Sequence, residues 1–188
     1  MNSAIAGQAA AFLDRDGVIN QDTGYVHRWA DFSFLPGVVD ALGRLQNHGF
    51  LLVIVTNQSG IGRGYFTTDD FLALTDRMLD VLRVHGVTID GVYHCPHLPA
   101  AGACSCRKPL PGLIERALAD LPIDRDRSFI VGDKASDVAA GRAARLAAAY
   151  QVGDGAPAGD ASGRFPDLAR CVDAVLRSPD RLGRGRPS

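Results

Sequence analysis

Residues 9–20 read AAAFLDRDGVIN, and the fold follows from them. Residues 9–13 form a short apolar run with no polar alternation, and Asp14, Arg15 and Asp16 follow at once. A strand buried on both faces reads as such a run, and the charge at its end is carried to the rim of a sheet. The pattern recurs. Residues 51–55 (LLVIV) run into Thr56-Asn57, and residues 129–131 (FIV) run into Gly132-Asp133, with Asp137 four positions on. Residues 91–94 and 146–152 are expected as further strands.

Helical spacing fills the intervals. Val38, Val39, Leu42 and Leu45 share one face, and Gly49 closes that helix. Thr67 offers a cap, with Asp69 and Asp70 in the favourable first turn, ahead of Phe71, Leu74, Met78, Leu79 and Leu82; Gly86 stops the run. Pro111 opens another helix at about its first position, through Leu113, Ile114, Ala117 and Leu118. A short helix is expected from about Ser136, and a closing one over 168–176. Strands alternating with helices predict an α/β fold, with a mainly parallel sheet and helices on both faces. One domain is expected over residues 1–179, and a disordered tail over 180–188.

A chain of 188 residues, 46% hydrophobic and 22% charged, has the makeup of a single globular domain. Its net charge of −1 provides no basic field for nucleic acid or acidic membrane. No apolar run approaches the roughly 18 residues needed to span a bilayer. The first residues lack the basic start of a signal peptide, so the cytoplasm is the expected compartment.

In an open α/β sheet, ligands bind in the crevice beyond the carboxyl ends of the strands. Asp14, Asp16, Thr56, Asn57, Asp133 and Asp137 all fall there, and Lys108, just before a helix start, can reach the same rim. This set suits a phosphate monoester. Such an ester carries about two negative charges, so an attacking carboxylate needs cations beside it. Magnesium prefers oxygen ligands. Lys108 adds a fixed charge, Thr56 a hydroxyl donor, and Asp16 a group that can protonate a leaving alkoxide and then activate water. Taken singly, each piece is an ordinary turn or cap; their order, each at a strand end, gives them weight.

Three of the four cysteines crowd into residues 95–106. Cys95-x-His97 and Cys104-x-Cys106 can each chelate one ion, and a spacer holding Pro99 and Gly102 can fold one pair onto the other. Three thiolates and one imidazole make a closed, structural zinc shell. The rival readings are free thiols, a Cys95–Cys104 disulfide, or His94 as a ligand. Cys171, in an apolar helix, reads as core.

FLDRDGVIN, VTNQSG, RKPLPG and VGDKASD, over about residues 9–150, resemble the four motifs of the haloacid dehalogenase-like phosphatase superfamily. That resemblance implies a Rossmann-like fold, with Asp14 as nucleophile, Asp16 as general acid/base, and Thr56 and Lys108 as phosphoryl stabilisers. It also implies magnesium held by Asp14, the Asp16 carbonyl and Asp133. The intervals between motifs look too short for a large cap domain. DRDGVINQDTGYV, TNQSGIGRGYF and the zinc pairs running into CRKPLPG resemble, more narrowly, the heptose bisphosphate phosphatase family. Histidinol-phosphate phosphatases are its near relatives. The zinc-loop spacer looks short for the heptose group. The narrower resemblance implies a small phosphorylated metabolite as partner. It implies substrate contacts from Asp22, Thr23, Gly24, Tyr25, Asn57, Gln58, Ser59, Arg107 and Lys134. A monomer is expected. A histidinol-phosphate phosphatase, another sugar-phosphate phosphatase, a nucleic-acid 3′-phosphatase and a non-enzymatic zinc-stabilised binding module are the competing readings.

Overall fold

The computed structural model describes residues 7–99 and 104–177. The strands are β1 (Ala10–Leu13), β2 (Leu51–Asn57), β3 (Gly91–Cys95), β4 (Phe129–Gly132), β5 (Ala148–Val152) and β6 (Gly163–Phe165). They form one sheet in the order β3-β2-β1-β4-β5-β6, and every neighbouring pair is parallel. The helices are α1 (Val38–Asn47), α2 (Ser59–Gly62), α3 (Thr68–Val84), α4 (Gly112–Asp120), α5 (Ala135–Ala143) and α6 (Leu168–Arg177).

The helices cover both faces. On one, Leu42 and Leu45 of α1, Met78 and Leu82 of α3, and Val172 and Val175 of α6 pack with Leu13, Ile54 and Val131. On the other, Ile114 and Ala117 of α4 and Val138 of α5 pack with Phe12, Val53 and Ile130. Alternate residues of β1, β4 and the first part of β2 therefore serve opposite cores, which is why residues 10–13, 51–55 and 129–132 carry no polar side chain. At the start of α3, the Asp70 N–H donates to Thr67 Oγ1 and the Thr67 N–H donates to Asp70 Oδ2. This reciprocal capping box is one reason the helix begins where its sequence predicts.

Two features go beyond the sequence pattern. β2 continues through Thr56-Asn57 because β3 extends beside it, pairing Thr56 with His94 and Asn57 with Cys95. β6 and the single-turn α2 were not anticipated. β6 is three residues long, too short for a period to show, and it forms where the open edge of β5 offers it a ladder. Among the described residues no separate cap domain stands over the sheet. The expected tail over 180–188 lies outside the described residues.

Register places the rim. Leu13 is level with Ile54 on one side and Val131 on the other. One residue further, Asp14 lies between Val55 and Gly132. One further still stand Thr56 and Asp133. The strand order reverses direction at β1 and β4, and crevices open at such a switch point.

Candidate active site

Asp14 is 6% exposed. Its own N–H donates to the Val131 carbonyl at 3.0 Å. Oδ1 accepts the Arg15 N–H at 2.7 Å and lies 3.1 Å from Lys108 Nζ. Oδ2 accepts no hydrogen bond among the described residues. Lys108 comes from the loop between β3 and α4 and is buried. Its ammonium donates to the Val55 carbonyl at 2.7 Å and contacts Asp137 Oδ1 at 2.5 Å. Burial opposes that charge, but the flanking Asp14 and Asp137 carboxylates outweigh it and raise the pKa, so Lys108 stays a cation. Burial pushes Asp14 upward, against the pull of Lys108.

Asp14, Asp133 and Asp137 bring ligand oxygens within 4.8 Å of one another. Three carboxylates thus face one buried ammonium, Lys108, and an exposed one, Lys134, 3.5 Å from Asp133 Oδ2, which leaves a surplus of negative charge that suits a cation. Asp137 is already committed. Its Oδ1 meets Lys108, and its Oδ2 accepts the Lys134 N–H at 3.0 Å. Asp133 Oδ1 is buried with no hydrogen-bond partner among the described residues, an arrangement that costs stability unless something fills it. Burial pushes Asp133 to a pKa of about 6, with Lys134 opposing and Asp14 and Asp137 reinforcing the rise. The donor set therefore fits a hard divalent ion at Asp14 and Asp133. Two glycines make room for the Asp133 and Asp137 carboxylates. Gly17, at φ +83, lies so close to Asp133 that a Cβ would sit 2.5 Å from Oδ2. A Cβ on Gly132 would collide with Asp137.

Above this floor opens a cavity of about 360 Å³. The sequence-predicted residues Asp14, Asp16, Asp22, Gly24, Tyr25, Thr56, Asn57, Gln58, Ser59, Arg107, Lys108 and Lys134 line it, and Thr23 does not. Thr23 lines a neighbouring depression with Val26 and Arg28. Lys134 Nζ joins Asp22 at 3.1 Å across the mouth. Burial raises Asp22, but hydrogen bonds from Lys134 and the Gly24 N–H bring it below the usual carboxylate range. Asn57 does not present its amide to the cavity. Oδ1 accepts the Lys108 N–H, and Nδ2 donates to the Lys108 carbonyl, both at 3.1 Å. It is the clamp that holds the Lys108 backbone.

Asp16 is surrounded by donors. Arg15 Nη2 reaches both its oxygens at 2.9 and 3.0 Å, Asn20 Nδ2 reaches Oδ1 at 3.0 Å, and Gln58 Nε2 reaches Oδ2 at 2.9 Å. Arg15 is 1% exposed and also donates to the Val26 carbonyl. The sequence reading assigned no role to Arg15, Asn20 or Asp137. The signals were an arginine inside the Asp-x-Asp stretch and a second aspartate after β4.

The cysteine cluster closes as expected. Cys95 Sγ lies 3.8 Å from Cys104 Sγ and 3.5 Å from His97 Nδ1, and Cys106 Sγ lies 3.4 Å from the same nitrogen. With zinc–sulfur bonds of about 2.3 Å and zinc–nitrogen bonds of about 2.05 Å, a tetrahedron has edges of about 3.8 Å between sulfurs and about 3.6 Å from sulfur to nitrogen. The site therefore has the dimensions of a zinc shell. The sulfurs are too far apart for the disulfide alternative. Burial pushes the Cys95 thiol up to about 12, so a metal ion is needed to draw off its proton at neutral pH. His94 stays out, its ring centroid 4.4 Å from that of Phe71, and Cys171 is buried in the α6 core. Of the spacer, residues 100–103 lie outside the described residues. Arg107 Nη1 donates to the His97 carbonyl at 3.2 Å, which joins the cation to the cluster.

Known proteins resemble this chain. The chain matches the family model described as polynucleotide kinase 3 phosphatase over residues 10–167. It is 48% identical over 153 residues to a D-glycero-beta-D-manno-heptose-1,7-bisphosphate 7-phosphatase of Pasteurella multocida, covering 79% of this chain and 83% of that one. It is 46% identical over 181 residues to the Haemophilus influenzae protein of the same name, covering 93% and 97%. Its structure is similar to that of a D,D-heptose 1,7-bisphosphate phosphatase from B. bronchiseptica, solved with magnesium and phosphate. The TM-score there is 0.82 and the identity 32%, over 90% of this chain and 99% of that one. A parallel sheet with a buried Asp14–Lys108 pair at its switch point, joined to these likenesses over nearly the whole chain, leads to one conclusion: this chain belongs to the heptose-1,7-bisphosphate 7-phosphatase family of haloacid dehalogenase-like phosphatases.

Proposed function

We propose that this protein removes the 7-phosphate of D-glycero-D-manno-heptose 1,7-bisphosphate through a phosphoryl group carried transiently on Asp14. The observation that carries the chemistry is the Asp14 carboxylate on the cavity floor, one oxygen anchored by Lys108 and the Arg15 N–H, the other without a protein partner. The relatives' shared activity supports the substrate.

Asp14 Oδ2 attacks phosphorus, and the bond from phosphorus to the C7 oxygen breaks. The leaving alkoxide takes a proton from Asp16. Asp16, now ionised, accepts a proton from water as that water attacks phosphorus; the bond from phosphorus to Asp14 Oδ2 breaks, the Asp14 carboxylate is restored, and phosphate departs. Lys108 and the Thr56 hydroxyl meet the charge gathering on the phosphoryl oxygens. In the conformation seen, Arg15, Asn20 and Gln58 hold the Asp16 carboxyl. The acid step requires it to leave Arg15. Asp14, Asp133 and the Asp16 carbonyl would hold magnesium, which would supply the positive charge that lets a carboxylate approach a phosphate. Asp137 serves Lys108 rather than the ion. Arg107, Asp22, Gly24, Tyr25, Ser59 and Lys134 hold the rest of the substrate. Cys95, His97, Cys104 and Cys106 bind a structural zinc.

We read residues 1–179 as one domain acting as a cytoplasmic monomer on a free sugar phosphate, with neither nucleic acid nor membrane as partner. The net charge of −1 supports this, since no basic surplus exists to track a polynucleotide. No described helix is long and apolar enough to cross a membrane.

Phosphorus NMR of the protein with the heptose bisphosphate, histidinol phosphate and other sugar phosphates tests the reading. Loss of the C7 resonance alone, with the highest kcat/KM in the panel, is the expected result. Preferential turnover of histidinol phosphate, or release of the C1 phosphate first, would overturn the substrate.

A further inference from the structure

Gln58 was expected to touch substrate, and its bonds point elsewhere. It is 4% exposed. Its amide group bridges Asp16 Oδ2 and Thr56 Oγ1, both at 2.9 Å. Amide nitrogen and oxygen are distinguished by their partners, and Asp16 Oδ2 already accepts from Arg15 Nη2 at 2.9 Å. The atom facing Asp16 is therefore the nitrogen. That nitrogen has two hydrogens; one goes to Asp16 and the other to Thr56, so none remains for a substrate. A consequence follows for Thr56. Its oxygen accepts from Gln58, so its own hydrogen is turned away from Gln58 and is free for the cavity, whose wall Thr56 forms.

We propose that Gln58 is a positioning residue that makes Thr56 a dedicated hydrogen-bond donor to the transferring phosphoryl group and holds it in register with Asp16. This rests on the reading of Thr56 as a phosphoryl stabiliser. The backbone supports the placement independently. The Gln58 N–H donates to the Cys95 carbonyl at 2.7 Å, fixing the residue against the end of β3. A donor aimed before the substrate arrives needs no reorganisation during the reaction, which is where such groups gain their effect.

The test uses Gln58→Met, which keeps length without hydrogen bonding, and Gln58→Glu, which keeps an acceptor but donates nothing when ionised. Each is assayed on the sugar bisphosphate and on an aryl phosphate, with zinc content and melting temperature as controls for folding. In both variants kcat is expected to fall on the order of ten- to a hundred-fold, equally on the two substrates, with KM changed by less than about threefold. The losses should shrink markedly in a Thr56→Val background, because coupled residues are not additive. Three results would overturn the proposal: a rise confined to KM on the sugar substrate, wild-type turnover in the glutamate variant, or full additivity with Thr56→Val. A wild-type protein that hydrolyses the aryl phosphate but not the heptose bisphosphate would sink the substrate assignment and leave this inference standing.

Discussion

Two clusters of metal-ligand type lie on this molecule, and they differ in how they are finished. The cysteine cluster is closed: three sulfurs and one imidazole lie within 4.8 Å of one another, and four such donors match a zinc shell in number and size. The carboxylate cluster is open. Asp137 is spent on Lys108, Asp133 keeps a buried oxygen without a partner, and Asp14 keeps one oxygen for the cavity. Their supports differ too. Asp14 and Asp133 directly follow central strands buried on both faces, whereas His97, Cys104 and Cys106 sit on a loop. A rigid, unfinished cluster can do chemistry; a finished one on a loop can only hold that loop still. Here the loop leads straight into Arg107 and Lys108.

The most severe test of this contrast is Asp14→Asn. Turnover should fall by at least about a thousandfold while zinc content stays at the wild-type value, because the amide keeps the volume and loses the nucleophile. Activity within tenfold of wild type would end the covalent reading. Arg107→Ala sharpens the link between the clusters. The guanidinium is tethered to the His97 carbonyl and lines the cavity without touching Asp14. Its loss should lower kcat/KM for the bisphosphate roughly ten- to a hundredfold, the worth of a charge-assisted pair, and leave an aryl phosphate nearly unchanged. Equal losses on both would place Arg107 on the transferring phosphate instead.

Cys104→Ser attacks the closed cluster. Zinc should be lost, KM for the bisphosphate should rise by about tenfold, and most of kcat should remain, because a freed loop must be ordered at each encounter. Magnesium affinity, measured by calorimetry, should hold. A fully loaded zinc site in the serine variant would refute the ligand set. The smallest effect concerns the metal-free carboxylates. Asp133 has its pKa raised to about 6 by burial, so the folded state binds this proton more tightly than the unfolded chain does. The stability it contributes is full below the ordinary carboxylate pKa and is lost as pH rises through about 6. Magnesium should therefore raise the melting temperature by a few degrees more at pH 7.5 than at pH 5, about what one or two kcal/mol provide in a domain of this size. An equal shift at both values would remove Asp133 from the ion's ligands.

Much of this was legible in the chain. An apolar run with a charge at its end is a strand that delivers a side chain to the rim, so Asp14, Thr56 and Asp133 could be placed together before any coordinates. The cysteine spacing likewise announced its shell, because chelation by neighbouring residues is a local property. What sequence missed was of another kind. Asn57 and Gln58 looked like substrate contacts because they follow Thr56 into the crevice. The Asn57 amide is spent on Lys108, 51 residues away, and the Gln58 amide nitrogen on Asp16, 42 residues away, and on Thr56. Asp137 looked like one more rim carboxylate until Lys108 closed on it.

Sequence by itself therefore determined which groups reach the rim and the kind of metal each cluster suits, since strand period and ligand chemistry are written residue by residue. Only the tertiary structure decided which polar groups are free to act and which are consumed in holding others. A side chain has a fixed number of donors and acceptors, and whether any are left for a substrate depends on partners that only folding brings within hydrogen-bond distance.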